Sequence, residues 1–282
     1  VSMEWSCLNG VRILELARLL PGPYCCMCLA DFGAEVLKIE APPGGDHIRL
    51  FGQETYDWLN RDKQSVALDL RNSEDRDAFL KLVEHADVVV EGFRPGVMKG
   101  LGLDFATLQA CNPRIILCSI TGFGQTGPHA QRAGHDLVYL AEGGYWATPS
   151  QLENPVTRPR LRLSDISASL YAALSIAVGV MSARASGVGQ HIDVSVTDSI
   201  LAWTLPKVTT APPGETVEQM AHVMPDNDIF ATADGQHLVI GVLEDKFWNA
   251  LSHALQEDDT ELAAPRYRSR DGRMREKYQL GA

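Results

Sequence analysis

Residues 11–40 have the sequence VRILELARLLPGPYCCMCLADFGAEVLKIE, and this stretch decides the fold. The apolar run at 11–16 predicts a buried strand, residues 24–32 predict a helix that Gly33 ends, and residues 35–39 predict a second strand. A strand, a helix and a strand in this order form a β-α-β unit, whose two strands lie parallel in one sheet. The stretch therefore predicts an α/β fold.

The same alternation continues further along the chain. Strands are predicted at 65–70, 88–90, 115–119 and 192–196, and a helix is predicted over 73–85 with Ser73 as its N-cap. A series of such units predicts a Rossmann-like, mostly parallel sheet with helices on both faces.

The turn after the first strand argues against a dinucleotide cofactor. It contains Leu20-Pro21-Gly22-Pro23, and the G-x-G-x-x-G pattern of dinucleotide-binding turns is absent. Its two prolines also lack the amide hydrogens that would hold a pyrophosphate. We therefore predict a Rossmann-like sheet without a nicotinamide or flavin dinucleotide.

Composition divides the chain into three segments. Residues 1–205 are predicted to form the large domain, residues 206–215, rich in Pro, Thr and Gly, a linker, and residues 216–282 a small, incomplete lobe with a basic tail. A hairpin is predicted around 233–236, and the tail from Pro265 is expected to pack little of its own. The longest apolar stretch, 166–183, contains four serines, which favours a buried core helix over a membrane span.

Charge and cysteine usage exclude several functional classes. A net charge of −11 argues against nucleic acid as a partner, because such proteins need a basic surface, although a local group of cations can still bind an anionic coenzyme. The histidines and cysteines lack the spacing of a metal site, and the C-x-x-C at 25–28 is interpreted as buried reduced thiols. Because neither a secretory signal nor a disulfide framework is recognised, we predict a cytoplasmic protein.

His135 and Asp165 are the leading candidates for chemistry. A base and a carboxylate on two separate elements could face each other across a pocket, as proton transfer beside a carbonyl requires. Each also has a structural interpretation, since a loop histidine can make a structural hydrogen bond and an aspartate at a helix start can cap free amides. Glu244, which follows a predicted strand of the small lobe, becomes a candidate if that lobe folds back over His135.

Three cations lie near predicted strand ends, where ligands bind in open α/β folds. They are Arg61, Lys63 and Arg94. A cluster of this kind can bind phosphate, although isolated surface cations are the commoner finding.

Several sequence blocks carry a family resemblance. They are LELAR (14–18), LPGPY (20–24), ADFGAEV (30–36), KIE (38–40), NRDK (60–63), FRPG (93–96), SITGFGQTGP (119–128) and GVGQHID (187–193). Together they resemble the class III coenzyme A transferase superfamily, the CaiB/BaiF type, which also contains the α-methylacyl-CoA racemases. The resemblance implies a Rossmann-like CoA-binding lobe and a small lobe, arranged in interlocked dimers, with no cofactor beyond the coenzyme A of the substrate.

Within this superfamily, two matches favour a racemase. Gly134-His135-Asp136 resembles the racemase motif, and the segment LEDKF at 243–247 resembles the one whose glutamate pairs with the histidine. We therefore expect a racemase for 2-methyl-branched acyl-CoA, in which His135 and Asp165 exchange the proton at C2, Glu244 orients His135, and Asp136 supports the loop.

The resemblance also implies where coenzyme A binds and which other activities are possible. Its phosphates are expected near Arg61, Lys63 and Arg94, with Arg18 and Lys38 of the matched blocks as further contacts. The first alternative activity is a CoA transferase in which Asp165 is the nucleophile, forming acyl and CoA thioester intermediates. The second alternative is a non-catalytic CoA-binding or assembly subunit.

Overall fold

The computed structural model describes residues 6–147, 158–209, 226–256, 259–276 and 280. The described residues form two units, one containing residues up to 209 and the other containing residues from 226 onward.

The larger unit contains a parallel sheet. Its strands are β1 (Arg12–Glu15), β2 (Glu35–Glu40), β3 (Lys63–Ala67), β4 (Val88–Glu91), β5 (Ile116–Thr121) and β6 (His191–Ser195). They lie in the order β3-β2-β1-β4-β5-β6, and each neighbouring pair is parallel. The chain order reverses between β1 and β4, so the connections that leave these two strands diverge and open a crevice at their carboxyl ends. The predicted Rossmann-like sheet is confirmed.

Helices cover both faces of this sheet. They are α1 (Pro21–Asp31), α2 (Gln53–Leu59), α3 (Ser73–Val83), α4 (Val97–Gly100), α5 (Phe105–Cys111), α6 (Asp136–Glu142), α7 (Leu163–Ser186) and α8 (Val196–Thr209). In β4, Val88 and Val90 join the core under α1 and α7, whereas Val89 joins the core under α3 and α5. Successive side chains of a strand point to opposite faces, so three consecutive valines supply both cores.

Two helix starts differ from the predicted ones. Helix α1 begins at Pro21 rather than at Tyr24, because a proline is tolerated in the first turn, where its missing N–H would have no partner within the helix. Helix α3 is capped by Asn72, whose side chain accepts the Glu74 N–H at 2.9 Å, and not by Ser73.

Helix α7 is long and apolar enough to cross a membrane, with a mean hydropathy of 1.7. Ala168, Ala172 and Ile176 on one side of it are buried in the core beneath the sheet, while Leu174 and Val178 on another side are exposed. A core helix that packs on a sheet meets the same criteria of length and composition.

The smaller unit contains a hairpin and two helices. The hairpin pairs β7 (Asn227–Ala231) antiparallel with β8 (His237–Gly241), as the turn at 233–236 predicted, and α9 (Asp245–Leu255) and α10 (Arg270–Arg275) follow. The expectation that the tail packs little is wrong. Arg273 is fully buried and bonds the buried carboxylate of Asp226 at 2.9 Å, so this part of the tail belongs to the core of the unit.

The predicted linker at 206–215 also differs in part. Residues 206–209 continue α8, and residues 210–215 lie outside the described residues.

Candidate active site

A cavity of about 500 Å³ lies at the carboxyl ends of β1, β4 and β5 in the larger unit. The turn after β1, the loop after β4, the segment before α6 and the start of α7 form its walls. Its lining includes Arg18, Phe93, Arg94, Gly122, Arg132, Gly134, His135, Tyr139 and Asp165. This is the point where the strand order reverses, the usual ligand position in an open α/β sheet. Four residues singled out from the sequence, Arg18, Arg94, His135 and Asp165, therefore share one cavity.

Asp165 stands in the first turn of α7, but it does not cap that helix. The buried Asp136 takes that role, because its Oδ1 accepts the N–H of Ser164 at 3.0 Å and the Ser164 hydroxyl at 2.8 Å. Asp136 therefore ties the start of α6 to the start of α7. The Asp165 carboxylate is left for the cavity.

The cavity wall changes the acidity of Asp165. Burial, and then the nearby carboxylate of Asp136, raise the pKa of Asp165 to about 7, while the charge of Arg162 works in the opposite direction. A carboxylate with this pKa is more basic than an ordinary aspartate and is still ionised in part at neutral pH. It can serve as a nucleophile or as a base.

His135 occupies the N-cap position of α6, and its side chain is exposed. Its carbonyl accepts the N–H of Val138 at 2.7 Å, whereas its imidazole makes no hydrogen bond to another described residue. Glu244, which was expected to orient this ring, is the N-cap residue of α9 in the smaller unit. That pairing stays a prediction.

Tyr139 is a cavity residue that the sequence analysis missed. Its hydroxyl donates to the carbonyl of Gly134 at 2.6 Å. Its ring also fills the space beside Gly122 and Gly134, where an added Cβ would lie 2.5 and 2.6 Å from a ring carbon. Burial, and then the charge of Asp165, raise the pKa of Tyr139. The available signal was its spacing of about one helical turn from His135.

The arginines of the cavity differ in their partners. Arg132 pairs with Glu142 at 2.5 Å. The Arg18 guanidinium lies over the Phe93 ring, 5.6 Å from its centroid, and within the described residues neither Arg18 nor Arg94 has an acidic partner. In a chain with a net charge of −11, two uncompensated guanidinium groups favour an anionic ligand here.

Lys38, predicted to contact coenzyme A, is buried outside the cavity. Its Nζ donates to Glu15 at 2.7 Å and to the carbonyl of Ala17 at 3.1 Å, and it pairs with Asp46 at 2.8 Å. Burial alone would lower the pKa of Lys38, but the charges of Glu15 and Asp46 outweigh it and raise the pKa. Two hydrogen bonds and two buried ion pairs engage the ammonium group, which argues against the phosphate role.

Lys63 and Arg61 are engaged in the same way. Lys63 Nζ donates to Glu15 at 2.8 Å, to the carbonyl of Pro23 at 2.8 Å and to Asn60 at 3.0 Å. Arg61 pairs with Asp31 at 2.5 Å. The pattern of the sequence could not reveal these partners, because Glu15 and Asp31 lie far from them along the chain.

Glu91 holds the loop that forms one wall of the cavity, and the sequence analysis did not predict this role. It ends β4, is buried, and accepts the N–H of Phe93 at 2.7 Å. Burial raises the pKa of Glu91 to about 7, although hydrogen bonds from Ser119 and Phe93 oppose this change. Glu91 therefore anchors the loop that carries Phe93 and Arg94, and its position directly after three valines was the signal.

The C-x-x-C cysteines do not form an activated thiol. Cys25 and Cys26 are buried in the core, and a hydrogen bond between the Cys25 thiol and Cys26, together with burial, raises the pKa of Cys25. Burial also raises the pKa of Cys28. Thiols that stay protonated are poor nucleophiles. The described residues contain no group of three or more side chains that could hold a metal ion.

The larger unit is an open α/β fold with a cavity at the switch point of its sheet. This cavity contains a carboxylate of raised pKa and two guanidinium groups that have no acidic partner within the described part of the chain. The family model described as CoA-transferase family III matches residues 8–282. The chain belongs to CoA-transferase family III, as the sequence blocks predicted.

Curated relatives are similar to most of this chain. A succinyl-CoA–D-citramalate CoA-transferase of Chloroflexus aurantiacus is 36% identical over 94% of the chain and 69% of its own length. A succinyl-CoA:mesaconate CoA-transferase of Haloarcula hispanica is 37% identical over 89% of the chain and 68% of its length. A succinate–glutarate CoA-transferase of Agrobacterium fabrum is 37% identical over 68% of the chain and 51% of its length. The chain thus spans between half and about seven-tenths of these relatives.

Solved structures share the fold. A CaiB/BaiF family protein from Brucella suis has a TM-score of 0.84 and 30% identity, over 98% of this chain and 76% of that one. A protein from Mycobacterium tuberculosis has a TM-score of 0.83 and 29% identity, over 98% of this chain and 74% of that one.

The relatives correct the expected activity. The prediction of a racemase is wrong, because the relatives that match most of the chain at 36–37% identity are named CoA-transferases. The motif Gly134-His135-Asp136 and the segment at 243–247 are two short matches to racemases, within a chain that is similar to transferases over most of its length.

Proposed function

We propose that this protein is a CoA transferase that moves coenzyme A between carboxylic acids, with Asp165 as the nucleophile. The observation that carries the proposal is the placement of Asp165. Its carboxylate lines the cavity at the switch point, while Asp136 performs the capping that would otherwise engage it. The relatives named as CoA-transferases support the same reading.

The reaction proceeds through two kinds of covalent intermediate on Asp165. A carboxylate oxygen attacks the carbonyl carbon of the acyl-CoA thioester, the C–S bond breaks, and coenzyme A leaves as a thiolate while a mixed anhydride forms. The thiolate then attacks the Asp165 carbonyl carbon, which releases the donor acid and leaves an aspartyl-CoA thioester. The acceptor carboxylate attacks this thioester, the C–S bond breaks, and a second mixed anhydride forms. The released thiolate then attacks the acceptor carbonyl carbon of this anhydride, which forms the new acyl-CoA and returns Asp165 as a carboxylate.

The raised pKa of Asp165 suits this role. A carboxylate with a pKa of about 7 is more nucleophilic than one with an ordinary pKa. The cavity thereby makes attack easier while leaving a part of the carboxylate ionised at neutral pH.

The acids are proposed to be dicarboxylic. Citramalate, mesaconate, succinate and glutarate, which the names of the relatives contain, each carry two carboxylates. Two guanidinium groups without acidic partners among the described residues line the cavity, which supports recognition of a negatively charged acid.

His135, Arg94 and Glu244 are proposed to assist the reaction or to bind coenzyme A without forming a covalent bond to the substrate. His135 lines the cavity with an imidazole that is free among the described residues, and it is proposed to donate a hydrogen bond to the reacting carbonyl oxygen. Arg94, on the loop after β4, is proposed to contact a phosphate of coenzyme A. Glu244 stays a candidate partner of His135.

The protein is also proposed to act as a homodimer in the cytoplasm. The exposed side of α7 carries Leu170, Leu174, Val178 and Met181, a continuous apolar stripe at helical spacing. Such a stripe is typical of a surface that another chain covers. Sedimentation at several protein concentrations would test this, and a monomer at every concentration would contradict it.

Isotopically labelled acids test the proposed transfer. The protein is incubated with succinyl-CoA and carbon-13-labelled glutarate, and labelled glutaryl-CoA is measured by mass spectrometry. Hydroxylamine added during turnover should mark the peptide that contains Asp165, and Asp165→Ala should abolish both signals. A protein that binds coenzyme A, transfers it to no acid, and binds it equally well as Asp165→Ala would instead be the non-catalytic subunit.

A further inference from the structure

We propose that Arg18 binds the second carboxylate of the acid, the one that does not react, and so selects dicarboxylic over monocarboxylic substrates. This inference rests on the proposed transferase function and deepens it.

The first support is the lack of a charge partner for Arg18. Arg12, the first residue of β1, pairs with Glu35, and Arg132 in the cavity pairs with Glu142. Arg18 faces the cavity over the Phe93 ring, and among the described residues no carboxylate neutralises it. A guanidinium that an aromatic ring supports can still offer its N–H groups to a carboxylate.

The second support is the fixed backbone on both sides of Arg18. Before it, the carbonyl of Ala17 accepts the buried ammonium group of Lys38 at 3.1 Å. After it, the N–H of Leu19 donates to the buried Asp46 at 2.9 Å. Lys38 and Asp46 also pair with each other at 2.8 Å, so one buried ion pair holds both flanks of Arg18.

The third support is the backbone conformation of Leu19. Its φ of +66° lies in the left-handed region, which a leucine rarely adopts and which costs free energy. Such a conformation persists only where surrounding contacts impose it, and the Leu19–Asp46 hydrogen bond is one of these contacts. Strained residues of this kind concentrate where a side chain must be held for a ligand.

The chemistry of Arg18 matches a carboxylate. A planar guanidinium binds a carboxylate through two parallel N–H···O bonds, and a fixed backbone reduces the entropy lost when they form. The reacting carboxylate of the acid must reach Asp165 in the same cavity, so the guanidinium of Arg18 is available to the other end of the molecule. A monocarboxylic acid of equal length places a methyl group at that end and gains nothing from it.

Competition between two acids of equal length tests the inference. Succinate and butyrate are mixed with glutaryl-CoA as the donor, and the ratio of succinyl-CoA to butyryl-CoA is measured for each variant. Because both acids compete for the same intermediate, effects on the donor cancel in this ratio. Loss of a charge-assisted hydrogen bond predicts that Arg18→Met lowers the ratio about 10- to 100-fold and Arg18→Lys lowers it less.

Arg12→Met is the matched control, since it removes an arginine from the start of β1, outside the residues that line the cavity. It should leave the ratio unchanged. If Arg18→Met leaves the ratio unchanged, the inference is wrong, and if it slows transfer to both acids equally and raises the KM for glutaryl-CoA, Arg18 binds coenzyme A instead.

A binding measurement separates this inference from the proposed function. If the wild-type protein transfers coenzyme A to neither acid, the transferase proposal fails. In that case succinate should still raise the melting temperature of the wild-type protein more than butyrate does, and Arg18→Met should remove the difference. Equal effects of the two acids on the wild-type protein would overturn the role of Arg18.

Discussion

The charges around Lys38 and the charges of the cavity belong to the same unit, yet they have opposite arrangements. Lys38, Lys63 and Glu15 are buried and paired with one another or with Asp46. In the cavity, Asp165 and Arg18 have no oppositely charged side chain bonded to them among the described residues. Paired charges hold the backbone in place, and unpaired charges are left for a substrate.

Removing the unpaired carboxylate should have the largest effect. Asp165→Asn keeps the shape of the side chain but cannot form an acyl intermediate, so transfer should fall by about 10⁴-fold or more. Steady-state rates measured by mass spectrometry check this. Asp198→Asn, which changes an exposed aspartate in the first turn of α8, is the control and should keep its activity.

The same variant should be more stable than the wild-type protein at pH 8. The folded-state pKa of Asp165 is raised from 3.8 to about 7, so the folded state holds this proton more tightly than the unfolded state does. Stability is therefore lost as pH rises from about 4 to about 7. Urea unfolding at pH 8 should therefore give a higher free energy of unfolding for Asp165→Asn than for the wild-type protein. A lower value would show that the buried charge of Asp165 does not destabilise the fold.

Breaking the paired group should mainly cost stability. Lys38→Met leaves buried carboxylates without their cation, which should lower the free energy of unfolding by about 3–5 kcal/mol. Lys81→Met on the exposed surface of α3 should change it by less than about 0.5 kcal/mol. Adding Asp46→Asn to Lys38→Met removes one of the uncompensated carboxylates, so it should recover part of the lost free energy of unfolding. No recovery would show that the Lys38–Asp46 ion pair does not stabilise the fold.

The pH dependence of transfer should report the ionisation of Asp165 in the cavity. Only ionised Asp165 attacks, so kcat/KM for the acyl-CoA donor should rise about tenfold per pH unit below about pH 6 and level off above about pH 8. Asp136→Asn removes the like charge that helps to raise the pKa of Asp165, so the rising limb should move to lower pH. The asparagine side chain can still accept the Ser164 N–H, so the cap of α7 is kept. If the rising part of the pH profile does not move, the charge of Asp136 does not raise the pKa of Asp165.

The smallest effect is expected at the cap of α7. Ser164→Ala removes the hydroxyl that donates to Asp136 at 2.8 Å, and the free energy of unfolding should fall by about 1 kcal/mol. Ser186→Ala, at the exposed other end of α7, is the matched control and should cost less. If both variants lose the same free energy of unfolding, the hydrogen bond between the Ser164 hydroxyl and Asp136 adds no specific stability.

The sequence predicted the centre of the sheet because β1, β4 and β5 each contain a run of buried apolar residues. It did not predict α2, α5 or α6, which are short helices of seven residues each. In α5 only Leu108 is buried, so the helical spacing of apolar residues has too few members to be recognised.

The sequence predicted several residues of the cavity, but it did not predict which charged residues form ion pairs. Its place near a strand end predicted Arg94, the pairing of a base with a carboxylate predicted His135 and Asp165, and the family resemblance predicted Arg18. All four line one cavity. Lys38 has the same kind of position in the sequence, but it meets Glu15 and Asp46 from other elements, and only three-dimensional packing decides whether a cation finds such an acid.

The Tyr139 ring makes three distant positions depend on one another. While the ring is present, a methyl group at Gly122 or at Gly134 would collide with it, so alanine is barred at both positions. Neither glycine has a positive φ, so the backbone conformation itself does not exclude alanine there, whereas the three nearest atoms at each position belong to the Tyr139 side chain. Among descendants of this sequence, alanine should therefore appear at either glycine only after the aromatic residue has been lost, which gives substitutions around the cavity a fixed historical order.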